Sequence, residues 1–116
     1  MQYILFLYGD EEAFHDKPHA EQERIVGEHM AFSQALSESG AMVSGNPLGR
    51  PSAGRIVRQR GGSQLVENGP FSDAKEQLGG YYIIEASDLD EALDWAAKCP
   101  AASDGAVEVR PIWSIE

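Results

Sequence analysis

The stretch YILFLYGD, residues 3–10, decides the fold. Its first six residues form a continuous apolar run, which the turn-prone pair Gly9 and Asp10 ends. Such a run predicts a strand buried on both faces, because alternate side chains of a strand point to opposite sides of its sheet. A second run, Tyr81–Ile84, is also apolar at both parities. We therefore expect helices of the chain to cover one face of the sheet, and a second subunit of a two-fold homodimer to cover the other.

The longest periodic segment follows a polar, loop-like stretch over residues 11–19. From His19 to Ser39 the spacing of apolar residues predicts a helix, and Gly40 suits the left-handed position that ends one. One face of this helix carries four residues at helical spacing: Ile25, His29, Phe32 and Leu36.

The remaining elements alternate between short apolar runs and turn residues. The predicted strands are Ala41–Gly45, Ile56–Gln59, Gln64–Glu67, Tyr81–Ala86 and Ala106–Trp113. Gly61 and Gly62 make a hairpin of the second and third, and Phe71–Leu78 is a connecting segment that Gly79 and Gly80 interrupt. A helix over Asp88–Lys98 has Ser87 as its expected cap. The order β-α-β-hairpin-β-α-β predicts an α+β fold, a ferredoxin-like sandwich formed by a single domain over residues 1–116.

Composition excludes several classes of function. The chain has 116 residues, with 9 basic and 19 acidic side chains and a formal net charge of −10. A surface this negative repels phosphate groups, so we expect neither nucleic acid nor anionic membrane as a partner. The N-terminal apolar run is too short and lacks the basic flank of a signal peptide. One cysteine, Cys99, fits a reducing compartment, and we expect a cytoplasmic protein in which Cys99 is a packing residue.

His29 is the most informative polar residue, because it lies within the apolar stripe of the long helix. Two interpretations remain open: a core histidine satisfied by a backbone carbonyl, or a general acid/base that opens on a cavity. Asp10, at the end of the first strand, is the carboxylate expected to orient the ring, although turn chemistry alone also explains it. Ser44 on the second strand is a further polar candidate.

Other clusters carry weaker signals. His15, His19 and His29 do not form a convincing metal site, because Pro18 interrupts the helical spacing and no spaced carboxylate or cysteine joins them. A basic stretch in the hairpin balances surface charge or clamps an anion: Arg55, Arg58 and Arg60. No phosphate-binding glycine motif follows a strand, so no cofactor is expected.

The segment NGPFSDAKEQLGGY, residues 68–81, followed by a capped helix and EVRP at residues 108–111, resembles the YCII-related family. Within that family the segment is similar to the branch named for its DGPF (DGPFAETKE) motif. Two positions differ from the motif: Asn68 stands where it has Asp, and Asp73 where it has Glu.

This resemblance implies a ferredoxin-like fold, a dimeric α+β barrel and a bacterial source. His29 and Asp10 match by spacing the His–Asp pair proposed as the active site in the better-studied branch. One family member is a dehydrochlorinase, and muconolactone isomerase shares the architecture. Members of the DGPF branch are often encoded beside alternative sigma factors, which implies a regulatory setting.

Two hypotheses about function follow. The first is a cofactor-independent lyase or isomerase for a small organic acid or enol, in which His29 moves a proton and Asp10 orients its ring. We expect four residues to contact the substrate: Ser44, Asn68, Lys75 and Arg110. The second is a non-catalytic dimer that senses a ligand or docks on a regulator of sigma-factor-dependent transcription.

Overall fold

A computed structural model describes residues 1–114 of the chain. The domain expected over residues 1–116 therefore ends two residues outside the described residues. The strands are β1 (Gln2–Gly9), β2 (Met42–Pro47), β3 (Arg55–Arg60), β4 (Ser63–Asn68), β5 (Gln77–Glu85) and β6 (Ala106–Pro111). The helices are α1 (Glu11–His15), α2 (His19–Ser39), α3 (Leu89–Lys98) and α4 (Ala101–Asp104), and a short 3-10 turn spans Pro51–Ala53.

The main sheet has four strands in the order β2-β5-β1-β6, and every neighbouring pair is antiparallel. Helix α2 connects β1 to β2, and α3 with α4 connects β5 to β6. This is the ferredoxin-like α+β arrangement that the order of elements predicts, and the fold class is confirmed. Strands β3 and β4 form a separate two-stranded sheet. Their hairpin turns at Gly61 and Gly62, which have positive φ angles of 56° and 81° as two-residue hairpin turns require.

The core lies between the main sheet and its helices. On β1, Tyr3, Leu5 and Leu7 point to this side and are buried. They pack in one cluster with Phe32 and Leu36 of α2. Burying a large apolar side chain of this kind stabilises the fold by about 1.5–3 kcal/mol, so this side of the sheet holds the chain together. Cys99, at the end of α3, is 1% exposed within the same cluster, as expected for a packing residue, and burial raises the pKa of its thiol.

The opposite side of the sheet is open. Ile4, Phe6 and Tyr8 alternate with the buried residues of β1, and they are only half-buried. Within the single chain β1 is buried on one face only, because no element within residues 1–114 covers the second side, so burial on both faces depends on the expected second subunit. Coverage by a second subunit remains a prediction.

Three local predictions differ from the structure. Residues 11–15, expected in a loop, form α1, whose first turn is capped by the carboxylate of Asp10 through a hydrogen bond from the Ala13 amide at 3.2 Å. Gly79 and Gly80 lie inside β5 rather than interrupting the chain before it. Helix α3 is capped by Asp88, not Ser87, since the Asp88 carboxylate accepts the Glu91 amide at 2.9 Å.

Within residues 1–114, no helix has both the length and the apolar character needed to cross a bilayer.

Candidate functional site

A cavity of about 670 Å³ opens between the N-terminal half of α2 and the end of the main sheet where β1 finishes. We call it the helix–sheet cavity. Residues of β1, β2 and β5 form its walls on the side of the sheet. Residues of α1, α2 and α4 form its walls on the side of the helices. The chain leaves β1 at Gly9, enters α1 and then α2, so the topology places the polar residues that follow the strand beside the long helix.

His29 of α2 lines this cavity and is half-buried. Its Nδ1 lies 3.3 Å from the hydroxyl oxygen of Tyr82 on β5. Ser33, one turn further along α2, donates to the same oxygen at 3.3 Å, and the Tyr82 hydroxyl reaches the His29 carbonyl at 3.5 Å. All three contacts are satisfied when Nδ1 carries the proton and donates to Tyr82. That tautomer leaves the lone pair on Nε2 for another partner.

The charge state of His29 follows from its surroundings. Burial lowers the pKa of the imidazole below its usual value, and the carboxylates of Glu28 and Asp104 only partly oppose this effect. The ring is therefore neutral near pH 7, the form in which an imidazole can accept a proton. The structure does not seal His29 among apolar side chains, as a purely structural core histidine would require.

Tyr82 holds the His29 ring and is itself held by packing. Its ring meets the edge of Phe32 with centroids 5.2 Å apart. Gly45 on β2 makes room for it, because a Cβ there would lie 2.7 Å from Tyr82 Cδ1. Burial raises the pKa of Tyr82, so its hydroxyl keeps the proton that it donates. Sequence analysis missed this residue, although the alternation along β5 would have placed it on the helix-covered side.

Asp10 also lines the helix–sheet cavity. Its carboxylate caps α1, as described above, and within residues 1–114 no hydrogen bond joins it to His29. In the structure, Tyr82 therefore has the place beside the ring that was expected for Asp10. The alternative interpretation of Asp10, as a residue satisfied by local backbone chemistry, agrees with the capping contact.

Glu11 is a second residue that sequence analysis missed. It lines the helix–sheet cavity and is half-buried. Its carboxylate lies over Gly79 of β5 so closely that a Cβ at position 79 would collide with it. Burial is the main reason that its pKa is raised; the nearby Asp10 adds to the shift and His15 opposes it. The glycine pair of β5 was the available signal, since glycine inside a strand often marks a close approach.

The neighbouring glutamate has different surroundings. Glu12 accepts a hydrogen bond from Arg50 at 2.8 Å and one from the Ser52 amide at 3.2 Å. Arg50 also contacts Asp16 at 2.9 Å. We call this group the α1 clamp, since it ties α1 to the turn that follows β2. Glu11, the preceding residue of α1, takes no part in this clamp.

The YCII-related domain model matches the chain over residues 1–116. The chain belongs to the YCII-related family. A relative in Rhizobium meliloti (strain 1021), named as an uncharacterized protein, is 35% identical over 114 residues, covering 97% of this chain and 92% of the relative. That match also places the two chains in one family.

A solved structure is also similar to this YCII-related chain. It is 5-chloro-2-hydroxyhydroquinone dehydrochlorinase from Burkholderia phenoliruptrix AC1100 in complex with 2,5-dihydroxybenzoquinone. The TM-score is 0.49 and the sequences are 21% identical, with coverage of 98% of this chain and 94% of the other. That activity and that ligand describe the dehydrochlorinase.

The four predicted substrate contacts of this YCII-related chain lie away from the cavity wall. Ser44 pairs with Ile83, and Arg110 pairs with Ile4, both on the open side of the sheet. Arg110 contacts Glu108 at 2.7 Å. Asn68 ends β4, and Lys75 lies in the irregular segment before β5. The structure therefore does not bring these residues together with His29, and membership of the DGPF branch remains a prediction.

Among residues 1–114, no group of three or more His, Cys, Asp or Glu side chains is placed to hold a metal ion. His15, one of the three histidines considered, has a buried Nε2 without a hydrogen-bond partner in the structure.

Proposed function

We propose that this protein transfers protons on a small enolisable molecule, as a cofactor-independent lyase or isomerase of the bacterial cytoplasm with one domain over residues 1–116. The observation that carries the proposal is the neutral, half-buried imidazole of His29, which lines the helix–sheet cavity while Tyr82 engages its Nδ1. An oriented imidazole with a free lone pair, partly shielded from water, has the arrangement that general base catalysis needs.

In this proposal, His29 removes a proton from a carbon next to a carbonyl group. In a lyase reaction a leaving group then departs; in an isomerase reaction the proton returns to another atom. A positioned general base of this kind contributes about 10²–10⁴-fold to a rate. The carboxylates of Glu28 and Asp104, which act to raise the pKa of His29, favour the protonated imidazole that forms. Asp10 lies in the same cavity wall and would orient the ring, as the sequence predicts, only after releasing its cap on α1. Ser44, Asn68, Lys75 and Arg110 would contact the small acid or enol only if a second subunit brought them to it.

Two small diketones test this function: acetylacetone, which is uncharged, and acetopyruvate, the same chain with a carboxylate at one end. Their keto and enol forms differ in ultraviolet absorbance, so the rate of interconversion can be followed directly. We expect the protein to accelerate at least one of them, and the His29→Gln variant to lose about 100-fold or more of that acceleration.

His19→Gln is the matched control. His19 is exposed and pairs with Glu23 on the solvent side of α2, so this variant should keep its activity within about twofold. The function is wrong if the wild-type protein accelerates neither diketone over buffer, or if His29→Gln is as active as His19→Gln.

The open side of the sheet supports the proposal of a two-fold homodimer. Its half-buried residues Ile4, Phe6, Tyr81 and Ile83 form a contiguous apolar surface on β1 and β5, and such surfaces commonly mark interfaces. Light scattering after size-exclusion chromatography should give the mass of a dimer for the wild type and of a monomer for Phe6→Glu. A monomeric wild type would contradict this part of the proposal.

The β3–β4 hairpin favours the second function, a ligand-sensing or regulatory dimer. Val57 and Val66 face each other across this hairpin and are 60% and 57% exposed. A regulator of transcription could dock on this apolar pair. Binding of acetylacetone or acetopyruvate near His29 without any acceleration of tautomerisation would favour this function over catalysis. The double variant Val57→Ser, Val66→Ser separates the two functions. It removes the exposed apolar pair of the hairpin but no residue of the helix–sheet cavity, so it should leave catalysis unchanged.

A further inference from the structure

We propose that Glu11 is the second proton-transfer group of the helix–sheet cavity, and that the ligand of this cavity is an uncharged carbonyl compound rather than a carboxylate. This inference rests on the proposed function and names its substrate class. It depends on two observations: the position of Glu11 relative to its neighbour Glu12, and the distribution of charge around the cavity.

The two glutamates of α1 point to different surroundings. Glu12 belongs to the α1 clamp and is not part of the cavity wall. Glu11 lies in that wall, against the backbone of Gly79. A glycine at position 79 is what allows a carboxylate to lie at this depth. The fold therefore places one of two adjacent, chemically identical groups where a ligand can reach it.

Glu11 is also not neutralised by a basic side chain. Within residues 1–114 it makes no ion pair or side-chain hydrogen bond, whereas Glu12 contacts Arg50 at 2.8 Å. The titratable groups that act on it are Asp10 and His15 of the same segment, and β5 faces it with the backbone of Gly79. Burial raises its pKa, so this carboxyl keeps a proton to higher pH than Glu12 does and can donate it.

The charge of the cavity wall disfavours an anionic ligand. The charged residues that line it are Asp10, Glu11, Lys17, Arg24, Glu28 and Asp104. Arg24 is already paired with Glu28 at 2.7 Å and with Glu21 at 2.6 Å. With Glu11 protonated and Glu28 paired with Arg24, the carboxylates of Asp10 and Asp104 still outnumber the ammonium group of Lys17, so a ligand carboxylate would meet net negative charge in a partly shielded site. An uncharged carbonyl oxygen meets no such repulsion and can accept a hydrogen bond from protonated Glu11.

The proton transfers balance. His29 Nε2 takes a proton from the carbon next to the carbonyl group, and the electron pair of that C–H bond forms the C=C bond. The carbonyl π pair moves to oxygen, which takes the proton of Glu11. The product is the enol, with an imidazolium at His29 and a carboxylate at Glu11. Passage of one proton from the imidazolium through water to Glu11 restores both groups, so no oxidant or other reactant is consumed.

The experiment compares wild-type protein with Glu11→Gln and Glu12→Gln, using acetylacetone and acetopyruvate. Glutamine keeps the shape of the side chain but cannot supply the proton. We expect Glu11→Gln to lower kcat for acetylacetone about 100-fold while KM changes by less than about threefold, and Glu12→Gln to stay within about twofold of wild type. A purely structural role would not produce this split between kcat and KM.

The two diketones test the substrate class. Relative to the rate in buffer, acceleration of acetylacetone by the wild type should exceed that of acetopyruvate by about tenfold or more. If acetopyruvate is the better substrate, or if Glu11→Gln is as active as Glu12→Gln, this inference is overturned while the function proposed for His29 stands. If neither diketone is accelerated, both proposals fail.

A measurement without a variant guards against misfolding of Glu11→Gln. Carbon NMR of protein labelled at the glutamate carboxyl carbons reads each titration directly. The midpoint of Glu11 should lie above the ordinary glutamate value of 4.5 and that of Glu12 below it. A Glu11 midpoint at or below that of Glu12 overturns the inference.

Discussion

The helix-covered side and the open side of the main sheet are both apolar, but the chain fully buries side chains only on the helix-covered side. Leu5 on the covered side is 0% exposed, whereas its neighbour Phe6 on the open side is only half-buried. The covered side also ends in the helix–sheet cavity, where His29 and Tyr82 meet. Apolar character therefore identifies both surfaces, but only the polar groups at the end of the covered side indicate chemistry.

The largest effect that separates the two sides should come from truncating β1. Leu5→Ala removes a fully buried side chain, and we expect it to lower the free energy of unfolding by about 2–5 kcal/mol. Phe6→Ala, measured at a protein concentration at which the chain is monomeric, should lower that free energy by clearly less. The reason is that the Phe6 side chain is already partly exposed to water. Urea unfolding of both variants checks this, and equal losses would contradict the distinction between the sides.

Overpacking the covered side should give the next largest effect. In Gly45→Ala the new methyl group would lie 2.7 Å from Tyr82 Cδ1 and 3.0 Å from the Tyr81 carbonyl oxygen. We expect a loss of about 1–3 kcal/mol in unfolding free energy, together with a shifted His29 ring signal in the NMR spectrum. Gly49→Ala is the control, since among residues 1–114 no atom beyond its own chain neighbours lies within 4 Å of its added carbon. If both variants behave alike, Gly45 does not position Tyr82.

Adjacent tyrosines of β5 allow a finer comparison, because they point to opposite sides of the sheet. Tyr82→Phe removes the hydroxyl shared by Ser33 and His29 and should cost about 1 kcal/mol. Tyr81→Phe removes an exposed hydroxyl, which accepts a hydrogen bond from the side-chain amide of Asn46 at 3.0 Å. We therefore expect almost no change in the free energy of unfolding. Thermal unfolding measures both losses of stability. A larger loss for Tyr81→Phe than for Tyr82→Phe would contradict this comparison.

The smallest effect concerns pH. Burial lowers the pKa of His29 in the folded chain below the value of 6.5 for an unfolded histidine. Between these two pKa values the unfolded chain holds a proton that the folded chain lacks, so the folded state loses stability as pH falls through 6.5, and the loss is complete below the folded pKa. His29→Gln should lack this loss. Its unfolding free energy relative to wild type should therefore rise as pH is lowered, and urea unfolding of both proteins at a series of pH values measures this rise.

Much of the fold could be predicted because it follows from local periodicity. The helix over His19–Ser39 and the Gly40 that ends it agree with the structure, in which Gly40 has a φ of 81°. The hairpin turn at Gly61 and Gly62 also agrees. Helix α1 was missed because its five residues, only two of them apolar, are too few to show a helical period. One contact that stabilises it, that of Arg50 with Glu12, joins residues far apart in the sequence.

The candidate site was only partly predictable for the same reason. His29 was detectable because an imidazole in an apolar stripe is conspicuous on one helix. Tyr82 was not, since an aromatic residue within an apolar run is indistinguishable from core until β5 is aligned with α2. Glu11 looks like any surface glutamate, and its burial depends on Gly79 in a different strand. Such roles arise from tertiary contacts, which no local pattern encodes.

The burial of Cys99 has a practical consequence. The chain contains a single thiol, and in the native structure it is enclosed at the end of α3 with its pKa raised. Because thiolates rather than thiols react with alkylating reagents, labelling requires this corner of the core to open first. The rate of labelling therefore reports how often the packing of α3 on the sheet opens transiently. The measurement works in native buffer and needs no introduced probe.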